Sequence, residues 1–282
     1  MKKLYILFLF AIATAGVNAQ VVFKNGIKSN TTYTTNREMT MVMNMTPPEA
    51  LAAIAGGQGL TMNMVLNSTT ILTTMSKDGS GQIPLSFTSK VGTNKITMNG
   101  QEMPSNMIPA DEANMTCTGK YDGSKIIIES ISGKTMDDSL RTMMNKIIEN
   151  AMNTTKFPDH ALKVGDSFTS DAPFAMPLPG MSQKSPMDVK ATYKLVSLNN
   201  GIGVFDMTIG VNANVNQAAA GQDVGVKVSG SGTGTMTFDS KKEYYTAMDM
   251  KMAIDFGINT GGMDMKGKGD LTINDKVDIG PK

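Results

Sequence analysis

Residues 244–273 read YYTAMDMKMAIDFGINTGGMDMKGKGDLTI. In the first arm Met248, Met250, Met252, Ile254, Phe256 and Ile258 alternate with Asp249, Lys251, Ala253, Asp255 and Gly257. After Asn259-Thr260-Gly261-Gly262, Met263, Met265, Gly267, Gly269, Leu271 and Ile273 share one parity, and Asp264, Lys266, Lys268, Asp270 and Thr272 the other. Successive side chains of a strand point to opposite faces, so this pattern predicts two long antiparallel strands with one apolar, methionine-studded face and one charged face. What the apolar face packs against is the functional question.

The same alternation runs upstream. Val189, Ala191, Tyr193 and Leu195 share a parity before Asn199-Asn200-Gly201, and Phe205, Met207, Ile209, Val211, Ala213 and Val215 follow it. Next come Val224, Val226, Val228, Gly230, Gly232, Gly234, Met236 and Phe238, opposite Lys227, Ser229, Ser231, Thr233 and Thr235. These stretches exceed the usual strand length, which suits a barrel or strongly coiled sheet better than a compact sandwich. Glycines on the apolar parity permit a sharp bend or the close approach of another element; they also leave room for the floor of a ligand site.

The N-terminal half is less regular. A Lys24-Asn25-Gly26 turn leads into a threonine-rich strand that becomes apolar at Met39, Met41, Met43 and Met45. Thr46-Pro47-Pro48-Glu49 has the form of a capping box for a short helix ended by Gly56-Gly57. Met62, Met64 and Leu66 share one parity and Ile71, Thr73 and Met75 the other, which predicts a bulge near 67–70. Ile83, Leu85, Phe87 and Val91 mark a returning strand after a turn at 77–81, with a weaker strand over 95–98. A hairpin at 115–131 turns at Asp122-Gly123. Leu140, Met143, Met144, Ile147, Ile148, Ala151 and Met152 recur at intervals of three and four, predicting an amphipathic helix over 137–153. The expected fold is therefore mainly β with minor α: a long-stranded, coiled antiparallel sheet or half-barrel with this one helix on its concave face. It forms a single domain over 20–282, or two β halves (20–133 and 162–282) joined by the helix.

Lys2 and Lys3, an apolar run and Val17-Asn18-Ala19 make residues 1–19 a secretory signal peptide, too short to span a membrane. Its removal leaves 24 of the 26 basic residues against all 25 acidic ones. That balance argues against nucleic acid as a partner. The lone cysteine, Cys117, is far from the leader and excludes both an internal disulfide and an N-terminal lipid anchor. The expected location is the periplasm or the exterior, without a transmembrane segment in the mature chain. The absence of tryptophan and of any aromatic girdle argues against an outer-membrane barrel.

Catalysis has no foothold. The single histidine, His160, stands in a Pro158-Asp159-His160 loop with no nucleophile in a recognisable context, and no metal or cofactor motif occurs. Methionine, at 26 residues, is the anomaly. It can fill a curved core, line an adaptable apolar pocket, or bind Cu(I) or Ag(I) through clustered thioethers. Regular alternation serves packing first, and a metal would need side chains converging from neighbouring strands. The candidate ligand-binding residues are Met248, Met250, Met252, Phe256, Met263 and Met265 of the closing hairpin, with Met143 and Ile147 of the helix.

Gly26 with the strand through Tyr33, Phe157-Pro158 with Leu162 to Phe168, Tyr193-Lys194-Leu195 before Asn200-Gly201, and Gly232 to Asp239 carry a resemblance. Through them the chain resembles a family of exported bacterial β-rich proteins classed as a domain of unknown function. In architecture it looks like the half-barrels of periplasmic lipoprotein carriers, a fold-level analogy. The resemblance implies no catalytic residues and a hydrophobic small molecule or lipid as partner. The leading expectation is a non-enzymatic exported binding or carrier protein for a hydrophobic ligand. The alternative is a structural or interaction protein of the cell envelope.

Overall fold

The computed structural model describes residues 20–46, 59–103, 114–132, 155–171, 188–219, 222–260 and 263–282. These residues are all-β. The helix expected over 137–153, with Met143 and Ile147, lies outside them, as do the signal segment and the short helix expected after Thr46.

The described residues form fourteen strands: β1 (Gln20–Val21), β2 (Thr31–Thr46), β3 (Leu60–Thr74), β4 (Ile83–Met98), β5 (Gln101–Glu102), β6 (Asn114–Tyr121) and β7 (Ile126–Ser132), followed by β8 (Leu162–Lys163), β9 (Ser167–Asp171), β10 (Asp188–Asn199), β11 (Ile202–Ala219), β12 (Gln222–Asp239), β13 (Tyr244–Thr260) and β14 (Met263–Pro281). Twelve form one antiparallel sheet in the order β7-β6-β4-β3-β2-β14-β13-β12-β11-β10-β9, with β5 beside β4; β1 and β8 pair separately. Among the described residues β7 and β9 each pair on one side, so hydrogen bonding leaves the sheet open rather than closing it into a barrel.

The hairpin over 244–273 forms as its alternation requires. β13 and β14 pair from Ala247↔Lys276 to Thr260↔Met263 in unbroken register. β14 then continues past Ile273 to Pro281, and along its length it pairs with β2, from Lys266↔Thr46 to Pro281↔Thr31. This pairing joins the chain's first long strand to its last. The turns follow local chemistry. At Asn200-Gly201 both residues take positive φ, 52° and 86°, as a two-residue hairpin turn demands. At 78–82 and 122–125 an aspartate side chain, Asp78 or Asp122, accepts the backbone N–H groups that follow it.

Two local expectations are corrected. β3 runs straight through 67–70 with Leu72 and Thr74 on the parity of Met62, so Ile71 lies on the opposite face. The irregularity sits instead on its partner: Asn67 pairs with Thr93 and Ser68 with Val91, leaving Gly92 as the extra residue in a single strand β4. The bulge thus absorbs the parity change in the neighbour, and the weaker strand expected over 95–98 is the end of β4. The turn expected at Lys24-Asn25-Gly26 is not one. Gly26 N–H donates to the Glu243 carbonyl at 2.9 Å, and the chain turns later, at Asn30 with φ 53°.

The core covers the apolar face. One cluster runs from Met41 and Met43 through the apolar parities of β10–β14 and includes Leu195, Phe205, Val226 and Val228. Phe23, Phe157, Phe168, Phe205 and Phe238 meet in edge-on and tilted pairs with centroids 4.7–6.1 Å apart, packing the segments around β1 and β8 onto the sheet. A second cluster gathers Tyr33, Leu72, Leu85, Ile126, Tyr244 and Val277. Cys117 is wholly buried, and burial pushes its thiol up to about 11. That removes the thiolate a reactive cysteine needs.

Candidate functional site: an apolar row, a cleft and a buried ion pair

Register places one residue from each of six strands in a transverse row. Ala213 stands opposite Val228, Val228 opposite Phe256, Phe256 opposite Gly267, Gly267 opposite Met45 and Met45 opposite Leu60. A cleft of about 1030 Å³ lies along this row, bounded also by the flanking polar residues Asn44, Asn212, Asn214, Lys227, Asp255, Lys266 and Lys268. Its volume is that of a small-molecule site, and its lining is mixed, with Met45 and Leu60 as accessible apolar surface among a larger number of polar side chains. Gly267 is required in the row, because the Phe256 ring occupies the space a Cβ would fill.

Two residues of opposite charge interrupt the apolar face elsewhere. Arg37 lies on the parity of Met39 and Met41, and Asp275 on that of Leu271 and Ile273, and the two are register partners. Arg37 Nε donates to Asp275 Oδ1 at 2.8 Å and Nη2 to Oδ2 at 2.6 Å. The Asp275 side chain is fully buried and that of Arg37 is 40% exposed. The bidentate hydrogen bond to Asp275 raises the guanidinium above its ordinary value. Tyr245 bonds Thr35 and Asp275 through its hydroxyl, and burial pushes that hydroxyl up to about 12. Such a pair needs every hydrogen bond it has, since desolvating two charges costs several kcal/mol per ion.

The structure distributes the candidate ligand residues unevenly. Phe256 lines the cleft. Met250 and Met252 are buried in the main core, and Met248 is half-buried against it, opposite Asp275. Met265 is half-buried opposite Ile258, and Met263 begins β14 opposite Thr260. Met143 and Ile147 lie outside the described residues. The row partners Met45, Leu60, Ala213 and Val228 were missing from the candidates, although the parities of Met45, Ala213 and Val228 are legible. What aligns them is the β14–β2 pairing, which no local pattern encodes.

The glycines on the apolar parity of β12 answer to packing. A Cβ on Gly234 would fall on the Asp249 carbonyl of β13 and 2.8 Å from Met207 Cε; Gly230 and Gly232 face the same strand's carbonyls. Close approach of β13 therefore fills these positions.

The charged parity faces away from the core: Asp206, Lys227, Asp249, Lys251, Asp255, Lys268 and Asp270 are all exposed. A lipid-facing barrel wall has the reverse arrangement, and each Lys there costs about 2–4 kcal/mol at the bilayer midplane. Among the described residues no helix is long and apolar enough to cross a membrane, and no group of three His, Cys, Asp or Glu side chains could hold a metal ion.

No protein-family model matches the sequence, and no curated protein is significantly similar to it. Among solved structures, OpdQ of Pseudomonas aeruginosa aligns over 90% of this chain and 100% of its own at 5% identity and a TM-score of 0.25. An outer membrane channel from Pseudomonas putida F1 aligns over 90% of this chain and 98% of its own, again at 5% identity, with a TM-score of 0.24. Both similarities are weak, and at these scores neither bears on the fold or the function.

Proposed function

We propose that this is an exported, non-enzymatic binding or carrier protein of the cell envelope that holds an extended apolar molecule, such as a lipid acyl chain. One observation carries the reading. The apolar face is buried over β10–β13 but only half-buried at Met45 and Leu60, where the 1030 Å³ cleft begins. Methionine and leucine adapt to a flexible chain, and the lysines and asparagines at the border suit its polar end. The carrier-like resemblance of the sequence points the same way.

The test is saturable binding of a fluorescent fatty acid, together with mass spectrometry of protein purified from its own envelope. Co-purifying lipid and a loss of affinity of about tenfold in Leu60→Lys are expected, because a charge would sit where the chain lies. If purified protein carries no lipid and binds no fatty acid saturably, the proposal fails. The structural-protein alternative then takes its place, favoured by the filled core beside Gly230, Gly232 and Gly234.

A further inference from the structure

Thioethers meet across strands singly in one part of this sheet and in rows in another. On the closing hairpin Met250 stands opposite Ile273 and Gly234, and Met252 opposite Leu271 and Gly232, while Met248 alone of the three faces a methionine, Met236. On β2–β5 the registers coincide. Met43 pairs with Met62, and Met62 with Met98. One row along, Met41 pairs with Met64 and Met64 with Ile96, whose carbonyl accepts the Met103 N–H at 2.8 Å.

We infer that these six methionines, two rows deep on one face of β2–β5, form a thioether site for a soft monovalent cation, Cu(I) or Ag(I). Cross-strand neighbours stand about 4.5–5.5 Å apart at Cβ, and successive same-face residues of a strand about 6.8 Å. Three torsions per methionine let the sulfurs converge across either gap. Met41 and Met43 are buried and fix one wall, whereas Met62, Met64, Met98 and Met103 are half-buried and reachable by an ion from solution. Thioether sulfur selects Cu(I)-like ions, and the patch offers no oxygen cluster to a hard cation such as Mg²⁺ or Ca²⁺. Its six ligands are neutral and do not titrate. Arg37 and Asp275, the charged pair further along the same face, are locked to each other, and Glu102 of β5 points away toward Lys95 at 3.2 Å. His160 lies in an exposed loop, and Cys117 is wholly buried on another strand.

The site adjoins the cleft row but is independent of it, because leucine preserves apolar packing and removes only the sulfur. The experiment is titration with silver nitrate in chloride-free buffer, read by native mass spectrometry, with Cu(I) under ascorbate against a chromophoric chelator. The full chain is expected to retain one Ag(I). The Met62→Leu/Met98→Leu double variant should bind at least about tenfold more weakly, and Met103→Leu, at the sheet margin, about two- to threefold more weakly. Met250→Leu/Met252→Leu should match the parent. Retention should be flat between about pH 5.5 and 7.5, where a thioether has no proton to exchange but histidine does. Fatty-acid binding in the double variant should persist, which separates this site from the cleft. The inference is overturned if the parent binds silver no more tightly than the double variant, or if silver is lost at the acidic end, which would assign it to an imidazole rather than to thioethers.

Discussion

The two halves of the sheet solve the same problem differently. Across β10–β13 the apolar parity is shut: Leu195, Phe205, Val226 and Val228 are at most 2% exposed, and the opposite parity is exposed almost throughout. Across the first part of β3, residues 60–70, and the end of β4 neither parity is sealed. Met62, Met64, Leu66 and Ile96 are half-buried, and so are their outward neighbours Asn63 and Val65. The first region is packed by branched and aromatic groups together with the buried Met207, Met236, Met250 and Met252, the second chiefly by half-buried thioethers. Fixed shape gives a defined core, whereas methionine keeps a surface adaptable. The difference leaves the methionine rows of β3 and β4 more accessible than the sealed face of β10–β13.

Truncating one residue in each half breaks or sustains that contrast most directly. Phe205→Ala should cost about 3–5 kcal/mol in chemical denaturation, and Met64→Ala about 1–2 kcal/mol, because a half-exposed site relaxes or admits water. Equal losses would mean that the methionine half is as tightly packed as its neighbour.

The boundary between the halves is the β2–β14 seam, where Arg37 meets Asp275. Arg37→Met should destabilise by about 2–3 kcal/mol, below the 3–5 of a fully enclosed pair because the guanidinium is 40% exposed. Replacing both partners, Arg37→Met with Asp275→Leu, should recover most of it. Alkali probes the same place at about 2 kcal/mol. Tyr245 is held at about 12, and Tyr244 is raised well above 10 by burial. Below pH 10 their contribution is complete. Above it unfolded tyrosines ionise while the folded ones stay protonated, so stability falls as pH rises toward 12. A pH-dependent denaturation series that is flat from 9 to 12 would contradict this burial.

Glycine substitutions give the smallest effects and test the tight side alone. Gly234→Ala forces a Cβ against the Asp249 carbonyl and should lose about 1–2 kcal/mol. Gly210→Ala meets nothing within 4 Å and should gain about 0.4–1 kcal/mol by restricting the unfolded chain. Paired thermal melts separate the two.

Most of the C-terminal meander is legible in its residues because period-two alternation and the Asn200-Gly201 turn are local signals. Parity at Met248, Met250, Met252 and Phe256 reads correctly from the chain alone. Pairing between distant strands does not. Neither the Arg37–Asp275 pair nor the Met43–Met62–Met98 row can be seen until β14 is laid beside β2 and β4 is given its bulge at Gly92. The bulge expected near 67–70 is present between Asn67 and Ser68, but its extra residue belongs to β4; Ile71 and Met75 are apolar residues on the outward parity of β3, and periodicity cannot tell a flipped strand from a hydrophobic surface. Candidate ligand residues chosen by methionine density alone therefore include Met250 and Met252, which the register places in the core.

The seam also sets the timing of assembly. Arg37 and Asp275 are 238 positions apart, and every bond between β2 and β14 awaits the last residues of the chain. Until then the N-terminal hairpins carry an unpaired edge of sixteen residues along β2. Long-range pairing of this kind folds slowly and leaves sticky intermediates at risk of aggregation. Removing the residues after Ile273 should therefore slow or abort folding out of proportion to the few core contacts they contribute.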